Sequence, residues 1–422
     1  MNRKRPVRPN WFRIILLCLL VLGGSYMNRY IVTNDIQVGV PTPTATRDPE
    51  SYITEAEEYF KQGKLIPAIE SYKEAIIVRP DDPLTHIALA RVQVWAGQYK
   101  DAETSAGDAL LLNPDNSMAH AVRAWALDFQ GDYLEAEASI KRALELDPNN
   151  ALAYAYYVEI LVDSYLNGGG SFEGVEKAIE QSKVAIALAP EALETRRARG
   201  YILEATANYE EAIREYQAAI TINPNIADLH LALGRNFRTL GIYDQAVTEF
   251  TRANALNPQD PTPDLLTSRT YATIGEYAKA MQYADAAVKD NPVDANLRGN
   301  LGVMNYRNLY WAEAVIELGY AVNGGVTEDG NKIEALNLVP GAPRIAEYFF
   351  TYGLALSRLN RCGEALPIAQ MILARIPADE LAVENANEII SRCEQNLVQT
   401  PVPSSTSSES VTDPTTTPTP VP

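Results

Sequence analysis

The chain has 422 residues, with 36 Lys+Arg against 54 Asp+Glu and a formal net charge of −18. Such a balance argues against a nucleic-acid partner, which calls for a basic surface, and fits a self-repelling soluble one. Only 3 histidines and 3 cysteines are present, and the cysteines show no CxxC spacing, so neither a metal nor a cofactor is expected.

Residues 1–13 are basic: Arg3, Lys4, Arg5, Arg8 and Arg13 precede an apolar run from Ile14 to Gly24. A basic flank before an apolar core is an export signal. Residues 14–32 are expected to form a transmembrane signal anchor, extendable back to Trp11. Trp11, Tyr26 and Tyr30 would then lie at the interfaces, and Arg13 and Arg29 would snorkel. This places the chain in the cytoplasmic membrane as a single-pass protein with its bulk outside. Cleavage at the small pair Gly23 and Ser25, followed by secretion, is the alternative. Leu17 before Cys18 does not fit a lipoprotein cysteine. Residues 33–48, rich in Pro and Thr, read as an extended spacer.

From Pro49 a repeat takes over. Gly241–Pro258 reads GIYDQAVTEFTRANALNP, and its skeleton returns at Gly97–Pro114, Gly131–Pro148 and Gly275–Pro292. The closing prolines 80, 114, 148, 190, 224, 258 and 292 are spaced 34, 34, 42, 34, 34 and 34 residues apart. Twelve residues before the closing position stand Ala68, Ala102, Ala136, Ala178, Ala212, Ala246, Ala280, Ala314 and Ala365. Helices pack closely only where side chains are small, and alanine allows this without glycine's helix penalty.

With these columns the 34-residue period resembles the tetratricopeptide repeat, a helix–turn–helix unit. The resemblance implies an all-α fold: a right-handed superhelix, or α-solenoid, of about nine units. Units one to eight would occupy 49–321 and unit nine 346–379, with a capping helix over 380–398. Two interruptions stand out. YLNGGGSF (Tyr165–Phe172) lengthens the turn inside unit four, and no Lys-Ser/Thr follows its glycines to make a phosphate loop. Residues 322–345 are an insert whose Glu-Asp-Gly turn and alternating KIEALNL suggest a small β-hairpin. The tail 399–422 is low-complexity Thr/Pro/Ser.

Cys362 opens the second helix of unit nine and Cys393 lies late in the cap. Antiparallel helices turning near Pro377 put them at the same height, and outside the cytoplasm a disulfide pinning the cap is expected. His86, His120 and His230 share one repeat position and read as structural. No Ser-His-Asp, Gly-x-Ser-x-Gly or HExxH arrangement occurs. The carboxylates read as solvated helix faces.

Tetratricopeptide arrays hold peptides or partner proteins on the concave surface lined by first helices. Projected there, early units present Phe60, Trp95, Trp125 and Phe129, and later units present Arg197, Arg235, Arg238, Arg269, Arg307 and Arg358. Aromatic residues and arginine are common interface anchors, although ion pairing and packing between units explain the same residues equally. Asn236 beside Arg235 is similar to one residue of the family's carboxylate clamp, but the Lys and Asn of successive units are missing. The reading is therefore a bacterial, membrane-tethered, non-catalytic scaffold, monomeric, for a protein or peptide partner. An assembly factor for an envelope secretion or pilus system, and a glycan-binding or enzyme-associated subunit using Trp95 and Trp125, stand as alternatives.

Overall fold

A computed structural model describes residues 11–26, 47–327 and 329–399. The basic segment before residue 11, the spacer up to residue 46 and the tail from residue 400 lie outside the described residues. Helix α1 (Trp11–Tyr26) has 16 residues. At a rise of about 1.5 Å per residue it measures roughly 24 Å, short of the ~30 Å hydrocarbon core. Among the described residues no helix is long and apolar enough to cross a membrane. The anchor expected over 14–32 would need residues 27–32, which are not among those described.

The rest is an α-solenoid of helix pairs. The first four are α2 (Pro49–Lys61) with α3 (Leu65–Val78), α4 (Pro83–Trp95) with α5 (Tyr99–Leu112), α6 (Ser117–Asp128) with α7 (Tyr133–Leu146), and α8 (Ala151–Leu166) with α9 (Phe172–Leu188). Then follow α10 (Leu193–Ala205) with α11 (Tyr209–Ile222), α12 (Ala227–Thr239) with α13 (Tyr243–Leu256), and α14 (Thr262–Thr273) with α15 (Tyr277–Asp290). Last come α16 (Ala295–Arg307) with α17 (Trp311–Asn323), α18 (Pro343–Arg358) with α19 (Cys362–Arg375), and α20 (Glu380–Gln399).

Local chemistry sets these boundaries. Asp48, Asp82, Asn116, Asn150 and Asp294 cap first helices with side-chain oxygens that accept backbone N–H groups. Each turn within a pair requires a left-handed residue. Glycine supplies it at Gly63, Gly97, Gly131, Gly241 and Gly275, whereas Ala207, Leu309 and Asn360 adopt it without glycine's freedom. The alanine column is the tightest part of the core: all nine members have 0% exposure. Its counterpart in the first helices must be as small. A Cβ on Gly234 would lie 2.5 Å from Phe250, and one on Gly302 would lie 2.5 Å from Leu318.

In the insert, β1 (Gly325–Val326) pairs antiparallel with β2 (Lys332–Ile333). Beyond the strands, Leu338, 2% exposed, joins the core shared with α17 and α18, and Ile333 is itself buried at 1% exposure. Cys362 and Cys393 are joined by a disulfide with Cα atoms 5.5 Å apart.

The solenoid closes on itself. Asn223 donates from Nδ2 to the Phe60 carbonyl at 3.3 Å, and Asn225 to the Lys61 carbonyl at 2.9 Å, across more than 160 residues. Gly63 has no Cβ because the Asn225 carbonyl fills that space: a Cβ would meet it at 2.3 Å. The turn of unit one thus rests on the start of unit six. Within this closed part α6 packs directly on α8 and α8 on α10, while α12, α14 and α16 touch only lightly.

Candidate functional site

The closure decides what the proposed groove residues do. Trp125 is 1% exposed, stacks on Tyr156 at 4.4 Å and donates from Nε1 to Glu159 Oε2 at 2.7 Å. Trp95 meets it edge-on at 5.3 Å. Phe60 and Trp95 pack against the core of α10–α14 on the far side of the closure. An aromatic half-groove open to a partner is therefore not what these residues form, and no free Trp95–Trp125 cleft for stacking a sugar exists in this conformation. The division into an aromatic half and an arginine half also fails. The Arg197 guanidinium lies 5.2 Å from the Trp95 ring, 5.8 Å from Trp125 and 6.0 Å from Phe129.

Arg197 is held by Glu159 and by Asp228, the latter at 2.8 Å. Arg235 grips Glu204 bidentately at 3.0 and 3.2 Å. These two arginines are spent inside the fold. Asn236 is fully buried and donates to the Ala232 carbonyl, so it is no clamp residue.

The histidines share one task. His86, His120 and His230 place Nε2 at 3.2, 3.0 and 3.0 Å from the carbonyls of Pro80, Pro114 and Pro224. Tyr154, Arg196 and Arg298 donate to Pro148, Pro190 and Pro292 from the same repeat position. The column tethers these six first helices to the preceding helix ends, whose carbonyls lack partners.

The remaining arginines differ. Arg238 and Arg269, on α12 and α14, have no carboxylate partner among the described residues; Arg269 reaches only the Tyr348 hydroxyl, at 3.4 Å. Its Nε is buried without an acceptor. Burial, and then the charges of Arg269 and Arg344, hold Arg238 below the usual arginine value. Arg344 pairs with Glu347 at 2.6 Å. Arg307 lies 4.0 Å from Glu347 and over the Tyr277 ring at 5.9 Å; Arg358 lies over Trp311 at 5.5 Å. These side chains belong to the first helices of units six to nine, of which α12, α14 and α16 touch lightly while α18 packs more closely on α16.

A feature unread in the sequence lies in the closed part. A partly open cavity of about 340 Å³ is lined by Asp128, Glu159, Asp163, Arg197, Phe129 and Tyr133, with Asp228 and Arg235 on α12. Asp128 and Glu159 are each 2% exposed. Burial, then the charges of Asp163 and Glu159, push the Asp128 carboxyl well above the carboxylate range; burial also raises Asp163, which accepts from the Tyr201 hydroxyl. The available signal was a charge inside an apolar run: Glu159 and Asp163 interrupt ALAYAYYVEILVDSYL, a helix too apolar to have a solvated face.

Tetratricopeptide repeat models match residues 59–126, 117–150 and 231–295, and a TPR repeat model matches 208–237. The chain carries tetratricopeptide repeats. Such arrays are scaffolds suited to protein–protein interaction. No curated protein matches the sequence. Among solved structures, the chain is similar to PilW, described as a widely conserved type IV pilus biogenesis factor, at 23% identity over 48% of this chain and 90% of that one, with a TM-score of 0.43. A tetratricopeptide repeat protein from Parabacteroides merdae overlaps at 17% identity, 61% and 98% coverage and TM-score 0.39. The human IFIT1 dimer with PPP-AAAA overlaps at 18% identity, 64% and 71% coverage and TM-score 0.45. None of these likenesses bears on what this chain binds.

Proposed function

We propose that the chain is a non-catalytic scaffold that binds an acidic segment of a partner protein along the arginine-bearing first helices of units six to nine. The observation that carries this is the like-charge cluster of Arg238 and Arg269 beside Arg344, without carboxylates for the first two, in a chain whose net charge is −18. A protein so rich in Asp and Glu has many residues available to neutralise an arginine pair, and Arg197 and Arg235 are neutralised. The unpaired cluster matches an incoming carboxylate, which arginine takes bidentately. Tethering at a membrane rests on the basic flank and apolar run of residues 3–24. The test is fluorescence anisotropy with a labelled peptide of alternating Asp, Glu and apolar residues. Binding by the full chain that weakens at least about tenfold in Arg238→Gln/Arg269→Gln supports the reading. Equal binding by both proteins, or none by either, removes it.

A further inference from the structure

The cavity between α6, α8 and α10 shares no lining residue with the arginine cluster and carries its own chemistry. Neither oxygen of Asp128 receives a hydrogen bond from a donor, although the side chain is buried and lines the cavity; Glu159 Oε1 is orphaned in the same way. A buried acceptor without a donor costs free energy, and a ligand that supplies donors removes that cost. The charge around it is also unbalanced. Arg197 is matched by Glu159 and shared with Asp228, and Arg235 is matched by Glu204. Asp163, facing Asp128 from α8, has the Tyr201 hydroxyl but no cation of its own. Tyr133 on α7 and Phe129 at the end of α6 line the cavity with these carboxyls.

We propose that this cavity binds an alkylammonium group, seated against the Asp128 and Asp163 carboxyls and walled by the Phe129 and Tyr133 rings. An ammonium is a compact charge with three donors, enough for two carboxylates and a further acceptor such as Glu159 Oε1. A metal ion is the poorer fit, since no group of three or more ligating side chains is arranged for one among the described residues. The volume suits an aliphatic amine or one lysine side chain. Burial and the neighbouring Asp163 charge favour the protonated form of Asp128 in the free protein. Binding of R–NH₃⁺ favours the ionised carboxylates, so ammonium binding and proton binding at this site oppose each other.

The experiment is isothermal titration calorimetry on the full chain in two buffers of different ionisation enthalpy, at a mildly acid and a mildly alkaline pH. The probes are butylamine, 1,4-diaminobutane and the peptide acetyl-Gly-Lys-Gly-amide. The expected result is saturable binding with proton release at the lower pH and higher affinity at the higher pH. Affinity should fall at least about tenfold in Asp128→Asn, which keeps the shape and hydrogen bond of the protonated acid, and less in Tyr133→Leu. Asp115→Asn, an exposed carboxylate elsewhere, should leave binding unchanged. Binding of the free amines alone assigns a small-molecule source; binding of the peptide alone assigns a partner's lysine. Failure of all three probes, or equal affinity in Asp128→Asn with circular dichroism unchanged, overturns the proposal.

Discussion

Arg91 on α4 donates from Nε to Glu194 Oε1 on α10 at 2.6 Å, joining units two and five across 103 residues of sequence. Glu194 is 1% exposed, and the nearby carboxylate raises Arg91 above its usual value. The pair locks the closure of the array from inside. Removing one partner leaves the other charge buried and unpaired. Arg91→Met should therefore cost roughly 2–4 kcal/mol, and the Arg91→Met/Glu194→Gln double variant should recover most of it. Urea unfolding of the four proteins of this cycle measures the coupling. A coupling near zero would mean the pair does not hold the closure.

Packing in the first helices gives a pair of opposite predictions. Gly234→Ala drives a methyl into Phe250 and should destabilise by about 1–3 kcal/mol, with Phe250→Leu restoring part of the loss. Leu309→Gly should do the reverse. Leu309 holds φ 66° with its side chain largely in solvent, so glycine relieves about 1 kcal/mol of backbone strain without emptying the core. Thermal denaturation of both variants checks the two signs together.

The cap depends on its disulfide. Cys362 and Cys393 enclose a loop with a sequence separation of 31. Reduction, or Cys393→Ala, should loosen α20 at a cost of about 3–4 kcal/mol. Hydrogen exchange should show the loss confined to α18–α20, with α2–α12 unchanged.

The buried carboxyl makes a signed pH prediction. Asp128 is raised by burial, so between the ordinary aspartate value of 3.8 and its own higher value the folded state binds more protons than the unfolded. Its contribution to stability is present at low pH and is lost as pH rises through that window. Asp128→Asn, which cannot ionise, should gain stability relative to the parent protein as pH increases. Chemical denaturation at several pH values reads the difference; a gap that does not grow with pH contradicts the assignment.

The repeat was legible because it is local: capping residues, left-handed turn positions and the alanine column each lie within one 34-residue unit. Closure was not legible. It depends on the small rotation from each unit to the next, summed until Gly63 meets Asn225, and no single unit encodes that sum. The same step hid the fates of Trp125 and Arg197, which one-unit projection placed on an open groove. Arg238 and Arg269 lie beyond the closure and lack the carboxylate partners that hold Arg197 and Arg235. Asp128 was missed because an isolated carboxylate at a helix end reads as solvated until the neighbouring units bury it.

Closure is the central structural claim of this account, and one distance tests it. Nitroxide labels at Gln62→Cys and Thr221→Cys, in a Cys18→Ser background with the native disulfide intact, flank the contact between units one and six. Electron double resonance should give a single narrow population at short separation, displaced by Gly63→Val. A broad distribution at long separation, unaffected by Gly63→Val, would show an open superhelix and return Trp95 and Trp125 to the groove.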